Sequence, residues 1–203
     1  MQSPHCKSDF VVHFFATTLF DLSMQAKYSE IDLRHLENRS VLVVDDNHAI
    51  HRDYHAVLRP DQRDEGEQKL DELEDLLLGT SETPKNRRER NFEIQSVYQG
   101  EEAYELIQRH YAKGIKYPLA FIDMRMPPGW DGLETIKKLR EVDSAIQFII
   151  VTAYSDYSEE EIEQALGPQT PFDITYKPFE PVELYEMTYE LVASWNQKFP
   201  TRH

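Results

Sequence analysis

The sequence predicts an α/β domain in which one parallel sheet is covered by helices on both faces. Three observations carry that prediction. Short apolar runs alternate along the chain with stretches of helical periodicity, five of each. The runs SVLVV (40–44), LAFI (119–122) and QFIIV (147–151) are continuous rather than alternating, as in strands buried on both faces. Each of these three stops on a polar residue: Asp45, Asp123 and Thr152.

The first strand is Ser40–Val44. Ile50, Tyr54, Val57 and Leu58 then fall at i, i+4, i+7 and i+8, a helical stripe that Asn47 is placed to cap. Phe92–Tyr98 alternates like a strand, and the helix at 100–110 puts Ala103, Leu106 and Ile107 on one face. Leu119–Ile122 is the third strand. Asp131-Gly132-Leu133-Glu134 has the D-x-x-E form of a capping box and opens a helix through Leu133, Ile136 and Leu139. Gln147–Val151 is the fourth strand, Glu159–Leu166 a helix stopped by Gly167-Pro168, and Phe172–Tyr176 the fifth strand. A last helix runs from Pro181 to about Lys198.

Composition excludes several classes. In 203 residues, 22 Lys and Arg stand against 37 Asp and Glu, a net charge of −15 that repels phosphate backbones, so nucleic acid is not an expected partner. The lone Cys6 permits no disulfide framework within the chain and fits a reducing cytoplasm. The apolar stretch Phe10–Phe20 is shorter than the roughly 20 residues a membrane span needs. His13 interrupts it and no A-x-A site follows, which disfavours a cleaved signal. It reads as a packing or dimer-forming extension, or as sequence preceding a functional start near Met24. The expected organisation is an extension at 1–39, a domain at 40–198 with an insertion at about 59–91, and a tail at 199–203.

In an open parallel sheet, ligands bind at the carboxyl ends of the strands near the point where strand order reverses. Here those ends carry Asp45, Asp46, Asp123, Thr152 and Lys177. Three carboxylates brought together repel one another and favour a hard divalent cation; oxygen ligands with room for water favour Mg²⁺. A carboxylate beside such an ion is able to attack phosphorus and form an aspartyl phosphate. Lys177 then neutralises charge on the transferred group, and the Thr152 hydroxyl binds one of its oxygens.

With these residues in view, the chain resembles the receiver (CheY-like) domains of two-component response regulators. The resemblance rests on VLVVDDN (41–47), Gly100-Glu101-Glu102-Ala103, FIDMRMP (121–127) with Asp131-Gly132, VTAYSD (151–156), and Tyr176-Lys177-Pro178-Phe179, and covers residues 40–198. It implies a doubly wound, flavodoxin-like sheet of order 2-1-3-4-5. It implies that Asp123 accepts a phosphoryl group from the phosphohistidine of a sensor histidine kinase or phosphotransfer protein. Asp46, Asp123 and the Arg125 carbonyl would hold Mg²⁺ directly, with Asp45 acting mainly through water. The Lys177-Pro178 bond is expected to be cis, and Thr152 and Lys177 to move towards the phosphoryl group.

Four departures from that family stand out. The MRMPPGWDG loop is one residue longer than usual, leaving Trp130 without an ordinary counterpart. Ile174 occupies the position, three before Lys177, where many receivers carry a switching aromatic, although Tyr154 and Tyr176 are close in sequence. Arg125 and Tyr154 overhang the phosphorylation position and are expected to slow attack by water. The fourth is the insertion, whose Leu70, Leu73, Leu76 and Leu77 form a short amphipathic helix before a basic KNRRER (85–90). It reads as a solvated excursion, with a partner-docking arm as the alternative.

The expected function is therefore phosphorylation-dependent control of an output domain or partner. The insertion and PPGWDG loop look like those of receivers heading hybrid kinases or cyclic-dinucleotide enzymes, so an output domain beyond His203 is expected, with a stand-alone receiver as the alternative. Two rivals are an unphosphorylated interaction module and a phosphatase with an aspartyl nucleophile, whose usual D-x-D after the first strand Asp45-Asp46-Asn47 does not match. His48, His51 and His55 share one face of the first helix and read as solvated rather than metal-binding. Leu184, Met187, Leu191 and Trp195 read as the core stripe of the last helix, which continues as an output helix or a homodimer seam.

Overall fold

The computed structural model of the protein describes residues 33–59, 91–153 and 157–200. The Phe10–Phe20 stretch, the body of the insertion with the leucine helix expected there and its basic run, and Tyr154 lie outside the described residues. Among the described residues five strands and five helices alternate: β1 (Ser40–Val44), α1 (His48–Leu58), β2 (Glu93–Val97), α2 (Gly100–Tyr111), β3 (Leu119–Asp123), α3 (Gly132–Val142), β4 (Gln147–Thr152), α4 (Glu159–Leu166), β5 (Phe172–Tyr176) and α5 (Pro181–Lys198). All neighbouring strands are parallel, in the order β2-β1-β3-β4-β5. The predicted fold class and strand order are both observed.

The side-chain period of two divides the core between the faces of the sheet. Leu42, Val44, Ala120, Ile122, Phe148 and Ile150 form one cluster with Ala103, Leu106 and Ile107 of α2, Ile136 and Leu139 of α3, and Ile162 of α4. The alternate positions are also buried, including Val41, Val43, Phe121 and Ile149. On that second face, the Tyr54 ring of α1 lies 4.8 Å from Phe121 and the Tyr185 ring of α5 lies 5.5 Å from Phe92. β1, β3 and β4 are therefore buried on both faces, which is why they read as unbroken apolar runs.

Helix starts follow the predicted chemistry. The Asn47 side chain accepts from the Ala49 N–H, and the Asp131 carboxylate from the Glu134 N–H. A complete reciprocal capping box forms at α4, where Ser158 and Glu161 satisfy each other's backbone donors. The insertion has a closed neck: the Phe92 N–H donates to the Leu58 carbonyl at 3.1 Å, so β2 follows α1 directly in space.

Two packing expectations need correction, those for His51 and for the stripe of α5. His51 is not on a solvated face; it is only 5% exposed, and its Nε2 lies 2.8 Å from the Asp45 carbonyl oxygen. The buried stripe of α5 is Leu184, Tyr185, Thr188, Val192 and Trp195, with Met187 and Leu191 half-buried on its margin. Residues 33–39, assigned above to the extension, pack with the domain. Leu33 and Leu36 are buried, the Asn38 N–H donates to Asn196 Oδ1, and Asn196 Nδ2 donates back to the Asn38 carbonyl.

Candidate functional site

The strand order reverses between β1 and β3, and the polar strand ends gather at that reversal. Val44 pairs with Ile122, so Asp45 and Asp123 each lie one residue past that pair. Asp123 pairs with Val151, which places Thr152 one step beyond it on β4. Carboxylate oxygens of Asp45, Asp46 and Asp123 lie within 4.8 Å of one another. Asp45 and Asp123 are buried and Asp46 is exposed.

Lys177, one residue past β5, bridges the two buried acids. Its Nζ donates to Asp123 Oδ1 at 2.7 Å and to Asp45 Oδ2 at 2.8 Å. Backbone groups take the other oxygens: the Arg125 N–H donates to Asp123 Oδ2 at 3.3 Å and the Asn47 N–H to Asp45 Oδ1 at 2.9 Å. The Lys177-Pro178 bond is cis, as expected, and so is Pro127-Pro128 in the loop after β3.

The charges are strained by burial. Desolvation pushes the Asp123 carboxyl above its ordinary value; the hydrogen bond and charge of Lys177 offset this only in part, and Asp45 adds to the rise. Burial opposes the Lys177 ammonium, but its bonds to Asp123 and Asp45 outweigh that effect and raise its pKa. Three carboxylates against one ammonium leave a formal charge of 3 − 1 = 2 negative units at the edge, which a hard divalent cation matches in both charge and ligand chemistry.

The sequence placed Asp45, Asp46, Asp123 and Lys177 together, and the structure brings them together. Thr152 stands on the same sheet edge, with its hydroxyl donating to the neighbouring Ala153 carbonyl at 3.1 Å. Arg125 is exposed in the loop after β3, its backbone N–H turned to Asp123. His48, His51 and His55 form no metal-type cluster; among the described residues, Asp45, Asp46 and Asp123 are the group of that kind.

Two features escaped sequence reasoning. Tyr54 looks like any apolar stripe residue, yet its buried hydroxyl is raised well above its ordinary pKa by desolvation first, then by Asp45 and Asp123. Its ring also touches Phe179, at 5.1 Å, just past Lys177-Pro178. The second feature is a close approach at the start of α3. A Cβ on Gly132 would lie 2.7 Å from the Asp123 carbonyl oxygen, so only glycine lets this helix begin against the end of β3. The Asp131-Gly132 signal was visible in the sequence, but not its contact.

Comparison with known proteins agrees with this geometry. The model of the response regulator receiver domain matches residues 83–189. Sporulation initiation phosphotransferase F of Bacillus subtilis (strain 168) is 38% identical over 60 residues, 28% of this chain and 48% of that protein, so the match spans about half the length of this curated relative. Among solved structures, a CheY-like receiver domain protein from Methanospirillum hungatei JF-1 has a TM-score of 0.55 at 17% identity, covering 80% of this chain and all (100%) of that one. The receiver domain of Francisella response regulator 1452 has a TM-score of 0.51 at 23% identity, covering 77% of this chain and 98% of that one. At these identities the structures speak for the fold, while the family match spans more than half of the sequence. The chain belongs to the response regulator receiver domain family.

Proposed function

We propose that this chain is a phosphorylatable receiver in which Asp123 takes a phosphoryl group from the phosphohistidine of a histidine kinase or phosphotransfer protein in the cytoplasm. The observation that carries this reading is the Lys177 ammonium, bridging Asp123 and Asp45 at 2.7 and 2.8 Å beside Asp46. An Asp123 oxygen attacks phosphorus and forms the P–O bond. The P–N bond to the donor imidazole breaks, and its electron pair leaves on the nitrogen. Lys177 stabilises charge on the transferred oxygens, and Thr152 contributes its hydroxyl once it turns from the Ala153 carbonyl.

Asp46, Asp123 and the Arg125 carbonyl would hold Mg²⁺ directly. Asp45 would act mainly through water. A bound Mg²⁺ supplies positive charge to the non-bridging phosphoryl oxygens. Among the described residues no helix is long and apolar enough to cross a membrane.

Incubation with acetyl phosphate and Mg²⁺ tests the reading. One phosphoryl group per chain is expected, localised to Asp123 by peptide mapping and absent when Mg²⁺ is chelated. Sustained turnover of small phosphate esters would instead reveal a phosphatase, and no uptake and no response to beryllium fluoride an unphosphorylated interaction module.

A further inference from the structure

The loop between Asp123 and α3 is gripped from α2. Its first half is anchored in the core by Met124 and Met126, both buried. Its second half carries Pro127 and Pro128, which have no N–H to donate, so its polar contacts fall on a few groups. The Trp130 N–H donates to Glu101 Oε1 at 3.1 Å, and Gln99 Nε2 donates to the Pro127 carbonyl at 3.4 Å.

Gly129 lies hard against the same two side chains. A Cβ there would stand 2.5 Å from Glu101 Oε2 and 2.7 Å from Gln99 Oε1, too close for any other residue without displacing them. The Trp130 ring meets Tyr104, one turn further along α2, edge-on at 5.8 Å. The adjacent glutamates divide two tasks. Glu102 turns back to accept the Tyr98 N–H at 3.0 Å and so serves the start of its own helix, whereas Glu101 crosses to the loop. The residue that lengthens this loop, and the tryptophan within it, are thereby absorbed.

We propose that Glu101, assisted by Gln99, is a positioning residue for phosphoryl transfer: by accepting the Trp130 N–H it fixes the loop that holds Arg125 beside Asp123. This rests on the phosphoacceptor reading above and adds a dependence of that site on the start of α2. Partners hydrogen-bonded to a metal ligand typically change its affinity by roughly 10- to 100-fold when lost, and Glu101, which reaches Arg125 only through the loop, belongs at the lower end.

The test compares the parent chain with Glu101→Ala, Glu101→Gln and Gly129→Ala in three measurements. These are hydrogen–deuterium exchange of the 124–131 peptide without metal, Mg²⁺ titration followed by tryptophan emission, and phosphoryl uptake from acetyl phosphate. Glu101→Ala is expected to speed loop exchange, weaken Mg²⁺ binding roughly tenfold and slow uptake in proportion. Glu101→Gln keeps an acceptor oxygen and is expected to recover most of each loss. Gly129→Ala, which displaces the same carboxylate from the loop side, is expected to resemble Glu101→Ala.

Unchanged exchange and Mg²⁺ affinity in both alanine variants overturns the proposal, as does a glutamine variant no better than alanine. A parent chain that takes up no phosphoryl group counts against the phosphoacceptor reading alone. The exchange and Mg²⁺ measurements still decide the grip in that case: faster exchange with weaker binding upholds it, and no change in either overturns it.

Discussion

The centre and the edge of this sheet are built differently, and the site joins them. Every residue of β3 and β4 is buried. In β5 none is: Phe172, Ile174 and Thr175 are half-buried, Asp173 and Tyr176 exposed. The cover follows suit, since α4 buries only Ile162 whereas α5 buries five side chains. Asp123 therefore sits on the rigid centre, and Lys177 hangs from the loosely packed edge. Regions with little buried apolar surface open at low free-energy cost. The Lys177 bridge thus ties a weakly buried margin to a fixed carboxylate, so under the proposed phosphorylation new charge on Asp123 would be felt first at that margin.

The largest expected effect is at the centre. Asp123→Asn should abolish phosphoryl uptake from acetyl phosphate, read by intact mass. The same change should stabilise the protein by about 1 kcal/mol, or roughly 2–4 °C in Tm, because it removes a buried charge that Lys177 only partly compensates. A fall in Tm would mean that the pairing outweighs the burial and would undo the contrast drawn here. Next comes packing. Ile150 is fully buried and its register partner Ile174 is not. Ile150→Ala should cost about 3 kcal/mol in urea unfolding, and Ile174→Ala roughly 1 kcal/mol. Equal losses would erase the distinction between the two strands.

A smaller effect is expected where centre and edge meet. Lys177→Met leaves Asp45 and Asp123 facing each other without their cation. Losing one partner of a fully buried pair costs about 3–5 kcal/mol, but Lys177 keeps 24% of its side chain exposed, so about 1–2 kcal/mol is expected. Millimolar Mg²⁺ should recover much of this, since the cation replaces the missing charge. A loss that Mg²⁺ leaves untouched would mean that the lysine acts through packing of its stem rather than through charge.

The sequence made the centre legible and the contacts between elements much less so. β1, β3 and β4 announce themselves because burial on both faces leaves no polar alternation, and Asp45, Asp123 and Thr152 stand where those runs stop. Lys177 was found the same way, after a run shorter in apolar character but followed by proline. What stayed hidden depends on register between distant segments. Glu101 and Trp130 are 29 residues apart and Asn38 and Asn196 are 158 apart, and no local pattern distinguishes such side chains from solvated ones. His51 and Tyr54 were hidden for another reason: a helical stripe shows which face is inward, but not what a polar atom on it approaches.

The smallest prediction concerns pH, where the two halves of the bridge act at opposite ends of the scale. Asp123 has a folded pKa above its ordinary 3.8, so between those values the native state binds more protons than the unfolded chain, and stability falls as pH rises through that window. Lys177 has a folded pKa above its ordinary 10.5, so its contribution is complete below 10.5 and is lost as pH rises through the folded value. In metal-free protein, the stability of the parent relative to Asp123→Asn should therefore decline from about pH 4 upward and level off once the pH has passed the folded pKa of Asp123. Urea unfolding of both proteins across that range measures it. Added Mg²⁺ should reverse the slope, because a cation that favours the ionised carboxylate lowers the folded pKa of Asp123. A difference between the two proteins that stays flat with pH would show that Lys177 already holds the carboxylate at its ordinary value, leaving the centre no more strained than the edge.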